Sequence, residues 1–233
     1  MLLKILENIN NKTVQIKLLG DSITHGIGGS GFCQDGEVII DGYARNTKGF
    51  CWAKLFKEYL EERYNCQVVN NACSGTNIEF IINNFHQLVD ENDDLVICTI
   101  GTNNRHQLKN EKPKKTRNEL GAEFYNNILQ LNEIFIKNRK PVIFVANIPA
   151  SVGNEQDGED FWRTLHMSDI NAIYKKAQAQ DGFPFISMYD LMCEYINEQS
   201  IRINDLLCDG LHPNDEGYRV YFNLIKESLE IGE

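Results

Sequence analysis

The most constraining feature of this sequence is a series of short apolar runs that alternate with longer amphipathic segments. The runs are VQIKLLG ending at Gly20, CQVVNNA from Cys66, DLVICTIG from Asp94, PVIFVANIP from Pro141 and the shorter FPFIS from Phe183. Runs of this length that are apolar throughout are typical of strands buried on both faces of a parallel sheet. We therefore expect five strands.

The segments between these runs have the spacing of amphipathic helices. In the clearest one, apolar residues recur every three or four positions, at Leu120, Phe124, Ile128, Leu131 and Phe135. Weaker helical patterns cover residues 50–64, 77–88, 164–180 and 214–230. Strands that alternate with helices predict an α/β fold, a three-layer α/β/α sandwich around a mainly parallel five-stranded sheet. In such folds ligands bind beyond the carboxyl ends of the strands.

The size and composition of the chain fit one domain with a full apolar core, covering residues 1–233. Of the 233 residues, 42% are hydrophobic, and no linker rich in Pro, Gly or Ser divides the sequence. The formal net charge of −10 repels the phosphate groups of nucleic acids, so no nucleic-acid partner is expected. The seven cysteines include no C-x-x-C pair, so reduced, mostly packed thiols are expected.

The opening segment MLLKILENINNK is not expected to be a signal peptide. Lys4, Glu7 and Asn8 interrupt its apolar residues, so it lacks the uninterrupted apolar core of about 7–15 residues that such a peptide needs. No run of about 18 apolar residues occurs in the sequence, so no membrane span is expected. These features predict a cytoplasmic protein and leave its oligomeric state open.

The glycine-rich stretch from Gly26 to Gly31 fits the dinucleotide-binding pattern G-x-G-x-x-G, but its context does not. In nucleotide-binding folds the glycines turn the chain directly from a strand into a helix, whose N-terminus meets the pyrophosphate. Here the glycines lead into FCQDGEVIIDG, which we interpret as a polar loop. The second strand also ends in Asn70 and Asn71, where an acidic partner for the ribose would be needed. A nucleotide cofactor is therefore not expected.

Ser22, in the sequence Gly20-Asp21-Ser22-Ile23 at the end of the first strand, is a candidate nucleophile. Near the other end of the chain, Asp209 and His212 lie three positions apart, just before the last predicted helix. A carboxylate that holds one nitrogen of an imidazole as a donor leaves the other nitrogen free to take a serine proton. Each residue also has a simpler explanation, because Ser22 or His212 could cap a helix and Asp209 could serve a turn.

Two loops beyond the second and third strands supply candidate donors for the oxyanion of a tetrahedral intermediate. Gly75, in NACSG, allows close approach of its backbone N–H, and Asn103, in GTNN, has an amide that donates without adding charge. The alternative is that both residues only serve tight turns. No third ligand accompanies Asp209 and His212 at a spacing that suits a metal ion, so no metal is expected.

Taken together, these blocks resemble the SGNH, or GDSL-type, esterases and acylhydrolases. The resemblance rests on GDSIT at 20–24, NACSG at 71–75, GTNN at 101–104 and DGLHP at 209–213, in that order. It implies a flavodoxin-like sheet, Ser22, Asp209 and His212 as catalytic residues, and an oxyanion hole formed by Ser22, Gly75 and Asn103. The departures are Ile23 for the usual leucine, Ala72 for a common glycine and Asn104 for the more frequent aspartate.

The resemblance implies hydrolysis of an ester through an acyl-enzyme without a cofactor, and it leaves the substrate open. The family includes carbohydrate acetylesterases, lysophospholipases and thioesterases. Polar loops at 23–49, 105–117 and 150–163 are expected around the site, whereas a groove for a long acyl chain needs contiguous apolar lining. We therefore expect a short acyl group, acetyl above all, on a polar alcohol such as an O-acetylated carbohydrate. A lysophospholipase or acyl-thioesterase, or an inactive carbohydrate-binding module, are the alternatives.

Further residues near these blocks are candidates for contact with the substrate. They are Asp21, Asn104 and Trp162. The segment 105–117 also concentrates positive charge, at His106, Lys109, Lys112, Lys114, Lys115 and Arg117. Charged runs are usually solvated, so a solvated loop is the first interpretation, and a surface for an anionic part of the substrate is the second.

Overall fold

The central sheet consists of five parallel strands, as the sequence predicts. The computed structural model describes residue 6 and residues 12–110 and 113–230, so most of the opening segment, with Lys4, Glu7 and Asn8, lies outside the described residues, as does Lys112. The strands of the sheet are β1 (Val14–Gly20), β4 (Cys66–Asn70), β5 (Leu95–Thr99), β7 (Val142–Ala146) and β9 (Phe185–Ser187).

The order of the strands places a reversal of winding next to β1. The order is β4-β1-β5-β7-β9, so the chain moves outward from β1 to β4 and then crosses back over β1 to β5. This is the flavodoxin-like order implied by the resemblance. Ligands in such sheets bind where the winding reverses, outside the carboxyl ends of the strands. Because β1 ends at Gly20 and β5 at Thr99, the segments after these two residues flank that position.

Helices cover both faces of the sheet. Their bounds are α1 (Ser22–His25), α2 (Trp52–Arg63), α3 (Ile78–Asn83), α4 (Phe85–Leu88), α5 (Arg117–Lys137), α6 (Met167–Asp181), α7 (Met188–Gln199) and α8 (Asp215–Ser228). The helices predicted at 50–64, 164–180 and 214–230 correspond to α2, α6 and α8, and the periodic segment from Leu120 to Phe135 lies within α5. The helix predicted at 77–88 is divided at Asn84 into α3 and α4.

Two apolar cores form because side chains alternate between the faces of each strand. Leu18 of β1 packs in one cluster with Trp52 of α2 and Tyr221 of α8. Its neighbour Leu19 packs in the other cluster with Phe124 of α5, together with side chains of α3 and α6. The sheet is therefore buried on both sides, which is the three-layer arrangement that the apolar runs predict.

Helix α7 was not predicted from the sequence. It begins directly at the end of β9, and the hydroxyl of Ser187 accepts a hydrogen bond from Asp190 N–H at 3.1 Å, so no loop separates the strand from the helix. Of its residues only Met188 and Met192 are fully buried. The apolar signal of this helix is therefore weak.

Two short antiparallel ribbons also depart from the prediction. The stretch FCQDGEVIIDG, interpreted as a loop, contains β2 (Gln34–Ile40), which pairs with β3 (Tyr43–Asn46). The turn between them has positive φ angles at Asp41 and Gly42, 44° and 82°, and Asp-Gly is a frequent sequence for such hairpin turns. The second ribbon joins β6 (His106–Leu108) to β8 (Phe161–Arg163) and thereby connects two of the loops expected around the site.

Two further expectations concern the state of the cysteines and the absence of a membrane span. All seven cysteines are free thiols, but only Cys51, Cys66, Cys73 and Cys98 are buried. In the described part of the chain, none of the helices combines the length and the apolar content that crossing a membrane requires.

Candidate active site

Ser22 lies on the turn where β1 ends and α1 begins. Gly20 is required there, because a Cβ atom would come within 2.3 Å of Thr99 Oγ1 and 2.7 Å of Thr99 O. Asp21 caps α1 by accepting a hydrogen bond from Ile23 N–H at 3.1 Å, and Ser22 is the first residue of the helix rather than its cap. The side chain of Ser22 is therefore free of a capping role and stands at the carboxyl end of the sheet.

The loop before α8 brings His212 and Asp209 to Ser22. The hydroxyl of Ser22 lies 2.8 Å from His212 Nε2, and His212 Nδ1 lies 2.6 Å from Asp209 Oδ2. A carboxylate accepts hydrogen bonds, so the hydrogen of the neutral ring belongs on Nδ1 and the lone pair of Nε2 faces the serine. His212 does not cap α8, because that role belongs to Asn214, whose side chain accepts from Gly217 N–H.

Asp209 is held as a carboxylate although it is partly buried. Burial alone would raise its pKa, but the hydrogen bonds from the His212 side chain and from the backbone N–H groups of His212 and Leu211 lower the pKa below its ordinary value of 3.8. Asp209 therefore serves the turn and orients His212 at the same time. The turn that the sequence offers as the simpler explanation is present, and the catalytic role of Asp209 stays a prediction.

The loops after β4 and β5 are connected to each other beside Ser22. Cys73 N–H donates to Gly20 O at 3.0 Å, and the Asn103 amide donates one hydrogen to Thr76 O at 2.7 Å, which leaves its second hydrogen for another acceptor. Gly75 has a positive φ of 77°, and a Cβ atom there would meet nothing within 4 Å. Among the described residues, neither Ser22 N–H nor Gly75 N–H has a hydrogen-bond acceptor. These three groups each have a hydrogen free to donate, and their joint role as an oxyanion hole stays a prediction.

Asp21 is not positioned to contact a substrate, which corrects the prediction. It is completely buried, and beyond Ile23 it accepts a hydrogen bond from the Asn147 amide at 3.1 Å. Burial raises its pKa above the ordinary value of 3.8, although hydrogen bonds from Thr102 and Ile23 oppose that effect. Asp21 therefore fixes the turn beneath Ser22 and ties it to the segments that follow β5 and β7.

Asn104 makes hydrogen bonds that support the site. Its side-chain oxygen accepts from Ile78 N–H at 3.0 Å, and its amide donates to Glu79 at 2.9 Å. Asn104 thus joins the turn after β5 to the start of α3, and together with Asn103 it also lines a cavity, so its contact with a substrate stays a prediction. Trp162 lies on β8 with the Lys114 ammonium 4.7 Å from its ring centroid, and its contact with a substrate stays a prediction.

The glycines that resemble a nucleotide-binding pattern pack against protein. A Cβ atom on Gly28 would come within 2.4 Å of Pro213 O and 3.0 Å of His212 Cβ. One on Gly29 would come within 1.7 Å of Phe50 O. The absence of side chains at these two positions therefore allows the segment after α1 to lie directly against the loop that carries His212.

Sequence reasoning missed the part played by Arg105. Its side chain is completely buried and donates to Thr102 O, to Asn154 Oδ1 and to Glu155 Oε2, each at 2.9 Å. Burial lowers its pKa to about 10. In the same loop as Asn154, Ser151 N–H donates to Gly210 O at 2.8 Å, so this loop connects the turn of Asn103 to the loop of Asp209. Charge alone in the sequence does not distinguish Arg105 from its exposed neighbours.

The positively charged segment 105–117 is largely paired with other parts of the protein. Lys109 donates to Gly158 O at 2.8 Å, Lys115 pairs with Glu123, and Arg117 pairs with Asp169. The side chains of Lys114, Lys115 and Arg117 are nonetheless exposed, so a surface for an anionic part of the substrate stays a prediction. Between this segment and α5 lies a cavity of about 430 Å³ that reaches Asn103. Its lining includes Asn77, Glu79, Gln107, Lys115, Leu120 and Glu123.

Comparisons with known proteins identify the family of the chain and several structures with its fold. The chain matches the GDSL-like lipase/acylhydrolase family over residues 18–220. No curated protein sequence matches it significantly. Among solved structures, the acetylxylan esterase Axe2 from Geobacillus stearothermophilus has a TM-score of 0.67 at 19% identity, covering 94% of this chain and 95% of that one.

Two further structures have the same fold at similar identity. A lipase/acylhydrolase from Enterococcus faecalis has a TM-score of 0.64 at 20% identity, with 94% of this chain and 96% of that one covered. LAE5, an alpha/beta hydrolase enzyme from the metagenome of Lake Arreo in Spain, has a TM-score of 0.68 at 19% identity, with 94% and 97% covered.

Proposed function

The chain belongs to the GDSL-like lipase/acylhydrolase family, and from that premise we propose that it hydrolyses short-chain esters, acetyl esters above all, of a polar alcohol such as an O-acetylated carbohydrate. The observation that carries the proposal is the continuous hydrogen-bonded chain from Ser22 through His212 to Asp209, with distances of 2.8 and 2.6 Å. A carboxylic ester hydrolase of this kind needs a serine whose proton can leave at the moment of attack.

In the proposed mechanism, Ser22 Oγ attacks the carbonyl carbon of the ester and its proton passes to His212 Nε2. The carbonyl oxygen becomes an oxyanion, which accepts hydrogen bonds from Ser22 N–H, Gly75 N–H and the free hydrogen of the Asn103 amide. His212 then gives its proton to the alcohol oxygen as the carbon–oxygen bond breaks and the acyl-enzyme forms. Water, deprotonated by His212, hydrolyses the acyl-enzyme and restores Ser22.

The spacing of the catalytic residues in a structural neighbour supports these roles. Structures of Axe2 described as catalytic mutants replace one serine, one aspartate and one histidine, and the last two lie three positions apart. Asp209 and His212 have the same separation, and Ser22 precedes them in the same order. This agreement in order and spacing supports the proposed roles of the three residues.

The cavity beside Asn103 supports a polar alcohol as the substrate. It is lined mainly by charged and amide side chains, and Leu120 is one of its few apolar residues. Long acyl chains bind in pockets with mostly apolar walls, whereas hydroxyl groups of a saccharide need donors and acceptors. Lys115 and Glu123 offer both, because each has capacity left after pairing with the other.

The main test is a series of p-nitrophenyl esters from acetate to laurate, followed by acetate release from acetylated xylo-oligosaccharides. We expect kcat/KM to be highest for acetate and to fall as the acyl chain grows. Ser22→Ala should keep the fold and lower hydrolysis by about a million-fold, as removal of a catalytic serine does in a comparable enzyme. A folded Ser22→Ala protein with substantial activity would refute the serine mechanism, and a maximum at long chains would favour a lipase.

A second test concerns the cavity. Replacing Lys115 and Glu123 together by glutamine should raise KM for an acetylated oligosaccharide several-fold and leave p-nitrophenyl acetate hydrolysis unchanged. The matched control is the exposed pair Glu133 and Lys137 on α5, outside the cavity lining, with both residues also replaced by glutamine. Equal kinetics of the two double variants on both substrates would remove the cavity from the substrate site.

A further inference from the structure

His25, the last residue of α1, is buried and makes two hydrogen bonds, one buried and one partly buried, that the proposed mechanism does not use. The ring is 1% exposed. Its Nε2 lies 2.9 Å from Ala44 O in β3, and its Nδ1 lies 2.7 Å from the hydroxyl of Ser74. His25 therefore connects α1, the β2–β3 hairpin and the loop after β4, three segments that meet next to Ser22.

The chemistry of the two partners decides which nitrogen carries the hydrogen. Ala44 O is a carbonyl and only accepts, so Nε2 is the donor. Burial lowers the pKa of His25, which favours the neutral ring. In a neutral ring Nδ1 then has only a lone pair, so the Ser74 hydroxyl must donate to it. The hydroxyl of Ser74 is thereby fixed in direction as well as in position.

Ser74 is directly joined to Gly75, whose N–H is one of the three oxyanion donors of the proposed function. The peptide that bears this N–H lies between the two residues, and Gly75 has no side chain that could orient it. After Gly75, Thr76 is held by the Asn103 amide at 2.7 Å and donates through its own hydroxyl to Cys73 O, also at 2.7 Å. Before Gly75, the side chain of Ser74 is held by His25.

We propose that His25 is a positioning residue, which fixes Ser74 and so directs the Gly75 N–H toward the oxyanion. The proposal rests on the proposed function, since it assigns the orientation of one of its donors. The imidazole touches neither the substrate nor Ser22 Oγ in this scheme. Its effect on catalysis passes through one hydrogen bond to the Ser74 hydroxyl.

Two substitutions of His25 separate its two hydrogen bonds. In His25→Asn, the amide oxygen can occupy the place of Nδ1 and accept from Ser74, but nothing reaches Ala44 O. In His25→Gln, the longer side chain brings its amide to the place of Nε2 and can donate to Ala44 O, but the acceptor for Ser74 is lost. A purely structural role predicts that activity follows stability in both variants.

The positioning role predicts a different pattern in hydrolysis of p-nitrophenyl acetate. We expect His25→Gln and Ser74→Ala to lower kcat about ten-fold or more, with KM nearly unchanged, below the 10²–10³-fold loss typical of removing a whole donor. His25→Asn should keep kcat within a few-fold of the wild type even if its melting temperature falls further. The double variant His25→Gln/Ser74→Ala should lose no more than either single variant, because both remove the same hydrogen bond.

Binding of phenylboronic acid gives an independent reading, because its tetrahedral adduct with serine places an oxygen in the oxyanion hole. Its affinity should fall in His25→Gln and Ser74→Ala in parallel with kcat. His86→Asn, at an exposed position on α4, is the control and should change neither quantity. If Ser74→Ala and His25→Gln retain the wild-type kcat while Ser22→Ala abolishes activity, the positioning role is overturned. The proposed function would then still stand.

The tautomer is tested without any turnover. Nitrogen NMR of the histidine ring at neutral pH should find the hydrogen of His25 on Nε2, with Nδ1 accepting a hydrogen bond that disappears in Ser74→Ala. A hydrogen on Nδ1, or a doubly protonated ring, would overturn the proposal. This result does not depend on whether the protein hydrolyses esters.

Discussion

Asp21 and Asp209 both act on Ser22, the first through the turn that carries it and the second through His212, and their surroundings differ sharply. Asp21 is completely buried, whereas the side chain of Asp209 is 50% exposed. Burial raises the pKa of Asp21, whereas at Asp209 several hydrogen bonds together outweigh burial and lower the pKa.

The difference teaches that two aspartates near one serine can have unrelated duties. A carboxylate deep in the protein pays a large desolvation cost when charged, so it suits a fixed acceptor in a turn. A carboxylate at the surface keeps its charge and can stabilise the imidazolium that forms when histidine takes a proton. Substitution of the two residues should therefore separate loss of catalysis from loss of stability.

The largest effect is expected at Asp209. Asp209→Asn keeps the size of the side chain but offers an amide to His212 Nδ1, which favours the wrong tautomer, so kcat for p-nitrophenyl acetate should fall about 10⁴-fold. Asp205→Asn is the matched control, because that carboxylate pairs with Arg202 outside the site. A loss below ten-fold in Asp209→Asn, with Asp205→Asn unchanged, would show that Asp209 does not orient the base.

A smaller effect, on stability rather than catalysis, is expected at Asp21. Asp21→Ala leaves the Ile23 N–H and the Asn147 amide without their acceptor, so the free energy of unfolding should fall by about 1–3 kcal/mol. Urea denaturation measures this change. Because Asp21 touches neither Ser22 Oγ nor His212, the kcat of Asp21→Ala should fall much less than that of Asp209→Asn. An equal fall in both variants would show that the two aspartates do not have separate roles.

The smallest effect is expected in the pH dependence of stability, where the two residues should have opposite signs. The pKa of Asp21 is raised in the folded protein, so its contribution to the free energy of unfolding is lost as the pH rises above 3.8. The pKa of Asp209 is lowered, so its contribution to the free energy of unfolding is lost as the pH falls below 3.8. The stability of the wild type relative to Asp21→Asn should thus decrease from pH 4 to 7. Relative to Asp209→Asn, it should decrease as the pH falls from 4 to 3. Urea titrations at each pH measure both trends, and trends of the same sign would contradict the assignment.

Much of the fold could be predicted because the strands are apolar on both faces. β5 and β7 are buried along their whole length, so the continuous apolar runs in the sequence place them. The ribbon β2–β3 lacks this signal because most of β2 is exposed, and only the Asp41-Gly42 turn indicates a hairpin. Helix α7 lacks a loop before it, so no break in the pattern marks its start.

A site residue could be predicted where the topology of the sheet alone brings it to the site. It could not be predicted where its role depends on contacts with residues distant in the sequence. Ser22 and Asn103 follow strands that meet at the reversal of winding, so topology brings them together. Asp21 and Asn104 stand in the same blocks, but their burial depends on Asn147 and Ile78, which no local pattern connects to them. Arg105 is recognisable only from its distant partners in the loop after β7.

The hydrogen bond between Ser22 and His212 joins residues 190 positions apart, and Tyr218 of α8 likewise donates to Ile23 O and Ile27 O around α1. At a synthesis rate of about 5–20 residues per second, the ribosome adds the proposed base about 10–40 s after the proposed nucleophile. During that interval the nascent chain carries Ser22 without His212. The proposed mechanism therefore predicts that a nascent chain hydrolyses no ester until the loop before α8 has packed against α1, so that the onset of hydrolysis reports the closure of this long-range contact.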